Sequence, residues 1–391
     1  MTSPALRNRN FLIYLAGSTV SLHGLWIYRV ALGWYAWQLS GSELWVGIVA
    51  FTQFAPAVFF GPLFGVLADR FDRRKASILI NTGSVLNMLV LSSLTYLGHV
   101  DIGVLAATSL VQGVLDGAHT PVRMTLVPSI VSREQLHSAI ASNSIAFNVS
   151  RFVGPAIAGF IIATWGVGTA FAVNGVTYLA IVAAVMIIRL NPGTRRTKPP
   201  GDVWSELLEG VRYVLSHQTI RSLLITVAVA SVFGRGALEM LPAFADKVFN
   251  GGASALAILT SAVGAGSIMT GLVLSRNSVW LNKKVVRIAV IAAGLLIVVF
   301  AASDKFWLAV PLITLLGVIL SLVGVGSQIL IQSLVDDEVR GRVSSLWGMT
   351  AFGGTAIGSL VVGSGSAMFG LQLTVLVTGL LCAGVALLSA D

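Results

Sequence analysis

The residues in this sequence best placed to do chemistry are charges that stand where charge is costly. Arg29 lies within an apolar run that begins at Phe11. Asp116 and His119 are three apart and share one face of a helix, with Arg123 seven beyond Asp116. Arg151 sits in a further apolar run, and Arg235 and Glu239, four apart in another, can pair along one helix face. Placing such a group at the centre of a bilayer costs roughly 3 kcal/mol on insertion scales, so each of these residues is a functional candidate by default. An acid that faces an arginine in low dielectric can gain or lose a proton as their separation changes. Asp116 or Glu239 is therefore the candidate carrier of a coupled proton. The rival reading makes Arg235–Glu239 a static structural pair.

Neutral groups near these charges are candidates for holding a solute. Asn143, Asn148, Gln328 and Gln332 offer hydrogen bonds to a substrate or between helices. Trp26 and Trp34 are favoured over Trp37 as cavity walls, while His23 reads as a hydrogen-bonded packing residue. Enzyme chemistry finds no support. The sequence has no G-x-x-x-x-G-K-[ST], no H-E-x-x-H and no G-x-S-x-G, and its single cysteine, Cys382, lies in an apolar run. We expect no enzyme activity, no cofactor and no metal.

The elements that must position these residues are membrane spans. The chain is 55% hydrophobic and 10% charged, against roughly 25% charged in a soluble domain. Its mean hydropathy is +0.87. Forty-one glycines suit close helix packing in lipid, and Gly61…Gly65 and Gly113…Gly117 have the spacing of helix contacts. Apolar runs between charged or turn-rich breaks predict twelve spans, near 10–38, 44–68, 76–98, 102–125, 138–163, 170–190, 221–245, 254–275, 286–302, 306–331, 343–367 and 372–390. No small-residue cleavage site interrupts the first, so it reads as an uncleaved span.

The net charge of +9 is a topology signal. Arg7, Arg9, Arg73, Arg74, Lys75, Arg133, Arg189, Arg276, Lys283, Lys284, Arg340 and Arg342 all fall in loops on one side. Lys247 and Lys305 are the cations of the other side. The positive-inside rule then puts both termini in the cytoplasm, and a nucleic-acid partner is not expected. Residues 191–203, with Pro192, Pro199 and Pro200, read as a linker, followed by an amphipathic helix carrying Trp204, Leu208, Val211 and Leu215 opposite Glu209 and Arg212. The predicted organisation is a six-helix bundle over 1–190, a cytoplasmic linker over 191–220, and a second bundle over 221–391. The halves resemble each other in order: Arg29 matches Arg235, Gly154 matches Gly358, and Gly159 matches Gly363. Duplicated halves place a substrate site at their interface near mid-membrane.

Gly65-Val-Leu-Ala-Asp69-Arg70-Phe-Asp72-Arg73-Arg74-Lys75 resembles the signature loop of the major facilitator superfamily, with Asp72 in place of the usual second glycine. Pro121-Val-Arg123, Arg151-Phe-Val-Gly154-Pro155 and Asp336-Asp337-Glu338-Val-Arg340-Gly341-Arg342 resemble its bacterial drug and siderophore exporter branch, which includes the enterobactin exporter and macrolide pumps. The resemblance implies an all-α integral membrane fold, with two pseudo-symmetric six-helix bundles around a central cavity lined by spans one, four, seven and ten. It implies a conformational latch built from Gly65, Asp69, Arg70, Arg73, Arg74 and Arg123. Gly154, Pro155 and Gly159 are similar to the fifth-span antiporter motif, although Ala158 replaces one of its adjacent glycines. Ser109 stands where proton-linked members carry an arginine in the fourth span. The function implied is proton-coupled export of small organic molecules such as drugs or siderophores, by a monomer in a bacterial inner membrane. The rivals are an importer of the same fold and a membrane scaffold or sensor that transports nothing.

Overall fold

In a computed structural model of the chain, the structure describes every residue except 1–3, 62, 65–70, 191–202, 277–278, 337–338 and 389–391. The described residues form helices α1 (Arg9–Ser40), α2 (Glu43–Phe59), α3 (Arg73–Tyr96), α4 (Ile102–Leu126), α5 (Arg133–Ile187) and α6 (Val203–Ser216). The second half holds α7 (Gln218–Val248), α8 (Gly252–Arg276), α9 (Lys283–Ala301), α10 (Phe306–Leu334), α11 (Arg340–Phe369) and α12 (Leu371–Leu388). Nine described helices are long and apolar enough to cross a membrane.

The predicted fifth and sixth spans are both contained in α5. A straight helix of 55 residues would be about 80 Å long, far beyond the roughly 30 Å hydrocarbon core. Gly166, at φ 82° and ψ 172°, breaks it into arms over 133–165 and 167–187. This backbone conformation suits glycine, which has no Cβ to clash. With α5 counted as two spans and α6 set aside, twelve spans result. The described part of α2 has 17 residues and is short for a span. At 25 residues α4 is long enough, but Gln112, Asp116 and His119 lower its hydropathy. Its polar face is turned inward.

Within the first half, α1 packs along both arms of α5, α3 against α4 and α5, and α2 against α4. The second half repeats this plan, with α8 on α10 and α9 on α10 and α12. The halves meet along two long seams, α2 with α11 and the first arm of α5 with α8. By contrast α4 packs within its own half and α10 within its own.

Local signals set the helix starts. Asn8, Asp72, Asp101 and Asn282 each cap a helix by accepting hydrogen bonds from backbone N–H groups of its first turn. The linker helix α6 docks on α11, where Glu209 bonds Arg342 at 2.5 Å, and Tyr213 donates to Asp336 at 3.1 Å. Leu208 and Leu215 on α6 are exposed. The predicted linker 191–202 lies outside the described residues.

Candidate functional site

Five charged side chains from four spans converge halfway between the two ends of the bundle. Arg29 comes from α1, Asp116 from α4, Arg151 from the first arm of α5, and Arg235 and Glu239 from α7. All five are partly exposed, although they lie deep in the fold. Arg29 is the hub. Its charge acts on Asp116, Glu239, Arg151 and Arg235, which joins the first half to the second. Its guanidinium lies 4.9 Å from the ring centre of Trp26 and 5.4 Å from that of Phe54. The guanidinium of Arg151 lies 5.5 Å from the same Trp26 ring. One indole thus accepts two cations, and its π face favours both. Phe147 meets Trp26 edge-on at 5.8 Å.

The backbone makes this arrangement possible. A Cβ on Gly154 would stand 2.5 Å from the Trp26 Cβ, so glycine lets α5 lie directly on α1 beside the aromatic wall. On α7, the segment Ala230–Arg235 widens into a π-helical turn, a distortion frequent at functional sites. The turn at Glu239–Met240 then interrupts the helix. The widening ends at Arg235, and from Arg235 to Glu239 the backbone keeps its helical hydrogen bond at 3.3 Å. Neighbours four apart on a regular helix face each other, yet no ion pair within 4.0 Å forms here. Arg235 instead reaches α10, where its Nη2 lies 3.1 Å from a Cβ built on Gly324, beside a crevice that Trp347 also lines. The static Arg235–Glu239 pair is therefore not present.

A buried polar network holds the acidic side of the cluster. The Gln112 amide donates to Asp116 Oδ1 at 3.0 Å, to the Tyr178 hydroxyl at 3.1 Å and to Ser84 at 3.3 Å. Its carbonyl accepts from Asn87 at 3.2 Å. Gln112 is fully buried. The other carboxylate oxygen of Asp116, Oδ2, is buried without a partner among the described residues. Sequence reasoning missed Gln112, Asn87, Tyr178 and Phe54 as site residues. The sequence does carry one signal for Gln112, since it stands four residues before Asp116 on the same helix face.

At the end opposite the basic loops, a second set of charges joins the halves. Glu43, 5% exposed at the start of α2, accepts from Lys247 of α7 at 2.7 Å. The Lys247 ammonium sits 5.1 Å from the Trp37 ring centre, and Trp37 Nε1 donates to Asp246 at 2.9 Å. Along the seam below, Ser359 donates to the Gly47 carbonyl at 3.2 Å. A Cβ on Gly363 would stand 2.6 Å from the Glu43 carbonyl oxygen. This end of the bundle is closed.

The model of the transmembrane secretion effector family matches residues 2–391. The chain belongs to the major facilitator superfamily. It is 26% identical over 373 residues to the staphyloferrin A transporter of Staphylococcus aureus, covering 94% of this chain and 92% of that protein. It is 23% identical to macrolide efflux protein A of Streptococcus pyogenes, covering 85% and 83% of the two chains. Its fold matches the inward-facing, occupied structure of a bacterial homologue of the lysosomal transporter Spinster, with TM-score 0.78 at 14% identity, covering 100% of this chain and 98% of that one. The protein is thus a multi-pass membrane transporter of this superfamily and not an enzyme.

Within this major facilitator fold, the duplicated halves reproduce each other's contacts. Gly154 lies on Trp26 of α1, and its counterpart Gly358 lies on Val232 of α7. Gly159 meets Ala257 of α8, and its counterpart Gly363 meets Gly47 of α2. The antiporter-like stretch therefore has two contact faces, Gly154 inside its own bundle and Gly159 across the seam. Pro155 is buried between them.

Other predicted site residues fall elsewhere. Trp34 is 7% exposed in the core, nearest Gly252 at the closed end, and is no part of the charged cluster. Asn143 and Asn148 donate to carbonyls of their own helix, at Ala139 and Ser144. Gln328 is partly exposed on α10, and Gln332 is exposed one turn nearer the basic end. His119 is partly exposed on α4, and the charge that acts on it is that of Arg123, one turn further along the helix. His23 bonds the Thr19 carbonyl at 2.8 Å and Ser150 at 3.0 Å, the packing role expected of it. Of the small-residue pairs, Gly113 and Gly117 pack on α2, whereas a Cβ on Gly61 would meet nothing.

Gly65, Asp69 and Arg70 of the latch lie outside the described residues. Arg74 donates to the Ile188 carbonyl and so ties α3 to the end of α5, and the charge of Arg123 acts on His119 and Tyr14. Asp72, the departure from the signature loop, caps α3 by accepting from the Lys75 N–H at 2.9 Å.

Proposed function

We propose that this transporter is a proton-coupled exporter of small organic molecules in a bacterial inner membrane, working by alternating access with both termini cytoplasmic. The observation that supports the proposal is the position of Arg29, whose charge acts at longer range on Asp116 in its own half and on Glu239 in the other. Rocking of the halves would change the second distance more than the first. Each conformation would then set a different balance of charge around the two acids, which couples proton occupancy to movement. The bundles are assigned to 1–190 and 221–391, joined by 191–220. The halves are bonded to each other at the Glu43–Lys247 end, away from the basic loops, which leaves the basic side for solute entry in this reading. The positive-inside rule makes that side cytoplasmic, which is where an exporter loads.

Efflux is favoured by the similarity to macrolide efflux protein A and to a siderophore transporter. Everted vesicles energised by respiration test it, screened with siderophores, macrolides and dyes. Accumulation that stops when an uncoupler collapses the proton gradient is the expected outcome. Accumulation of those solutes in energised right-side-out vesicles alone would overturn the assigned direction.

A further inference from the structure

The central cluster holds three arginines against two carboxylates, and the arginines lack partners. Among the described residues, no carboxylate lies within 4.0 Å of Arg29, Arg151 or Arg235, although the structure records closer ion pairs elsewhere. The Nε atoms of Arg29 and Arg151 are buried without a hydrogen bond. Arg151 is the extreme case: the charges that act on it are those of Arg235 and Arg29, both positive. Like charges gathered in a partly shielded site repel, and the buried Nε–H donors of Arg29 and Arg151 are costly to leave open. What offsets this here is the Trp26 ring, which supplies a weak attraction to both Arg29 and Arg151 but accepts no charge-assisted hydrogen bond from either.

We infer that Arg29 and Arg151, with the Trp26 face between them, form the recognition site for a carboxylate-bearing substrate. A carboxylate is acceptor-only and planar, and a guanidinium fork matches it with two parallel donors. Two forks beside one indole select a substrate with an anionic group next to a flat or apolar body. Asp116 and Glu239 border the same space and disfavour a second anion close to them, so the anionic group belongs on the Arg151 side. This assignment rests on the transporter reading above and names the chemistry of its cargo.

The test uses the full-length protein in a neutral detergent, with 2-naphthoate as probe and methyl 2-naphthoate as its uncharged control. Binding is read by tryptophan fluorescence and by thermal shift. The acid is expected to bind at least tenfold more tightly than the ester. R29Q and R151Q should each weaken the acid about tenfold or more while leaving the ester unchanged, and R29K and R151K should recover part of the loss. Equal binding of acid and ester overturns the inference, as does unchanged acid binding in folded R29Q and R151Q. Displacement of the acid in phosphatidylglycerol nanodiscs but not in phosphatidylcholine ones would make the occupant a lipid headgroup and also overturn it. Binding without flux in vesicles would sink the exporter proposal alone. Flux of neutral or cationic solutes with no preference for the acid would sink this one alone.

Discussion

Lys247 of α7 donates to Glu43 of α2 at 2.7 Å and so pins the second half of the transporter to the first at the end away from the basic loops. Glu43 is shielded, whereas the Lys247 side chain is half exposed, so solvent weakens the pair. We assign it about 1–2 kcal/mol, below the roughly 1.5–3 kcal/mol of hydrogen bonds to a charged group because of that exposure. Opening this end requires breaking it. Glu43→Gln should shift the population toward the opposite-open state by about 5- to 30-fold. The charge-reversed double variant Glu43→Lys with Lys247→Glu should restore the balance. Alkylation of a cysteine at Ser359, fully buried against Gly47 in this seam, measured in the Glu43→Gln and otherwise unchanged backgrounds, reads the shift. Equal labelling in both would show that the pair is not a lock.

Asp116 and Glu239 make separable predictions because they stand in different halves. Asp116→Asn and Glu239→Gln should each fold, since both replacements keep the size of the side chain. At least one should lose efflux driven by a pH gradient while retaining downhill exchange of solute. Full gradient-driven efflux in both variants would remove these acids from the coupling.

Gln112 is predicted to matter as much as the acid it serves. Gln112→Ala leaves Asn87 only its bond to the Thr108 carbonyl, takes the amide donor from Tyr178, and strips Asp116 of its hydrogen bond. Unmaking such a buried network costs about 1–3 kcal/mol for each group left unsatisfied. Thermal unfolding in detergent should show a clear loss of stability. A midpoint within one degree of wild type would mean that water replaces the amide.

Gly358 lies on Val232 of α7, so close that a Cβ would overlap the Val232 carbonyl. Gly358→Ala must push α11 off α7, at about 1–3 kcal/mol for overpacking. The same change at Gly348 on the same helix, where a Cβ meets nothing among the described residues, should be near neutral. Thermal unfolding of the two variants provides the comparison, and equal losses would refute the packing argument.

The sequence by itself determined the class, the number of spans and the identity of the charged residues. These are legible because lipid imposes a local rule: each span needs an unbroken apolar run, and each buried charge stands out against it. The duplication was legible too, and the matched glycines Gly154 with Gly358 and Gly159 with Gly363 do make equivalent contacts. What only tertiary structure decided is which groups meet. Asn143 and Asn148 fulfil their hydrogen bonds within their own helix, and Trp34 packs in the core, because neither choice leaves a trace in composition. Arg235 turns toward Gly324 of α10 and makes no ion pair with Glu239, a choice of neighbour that the spacing of four residues along one helix cannot decide. The meeting of Arg29 and Arg151 over Trp26 depends on α5 crossing α1 at Gly154, more than a hundred residues away along the chain. Sequence spacing fixes neighbours along one helix, and the packing of helices against each other fixes everything else.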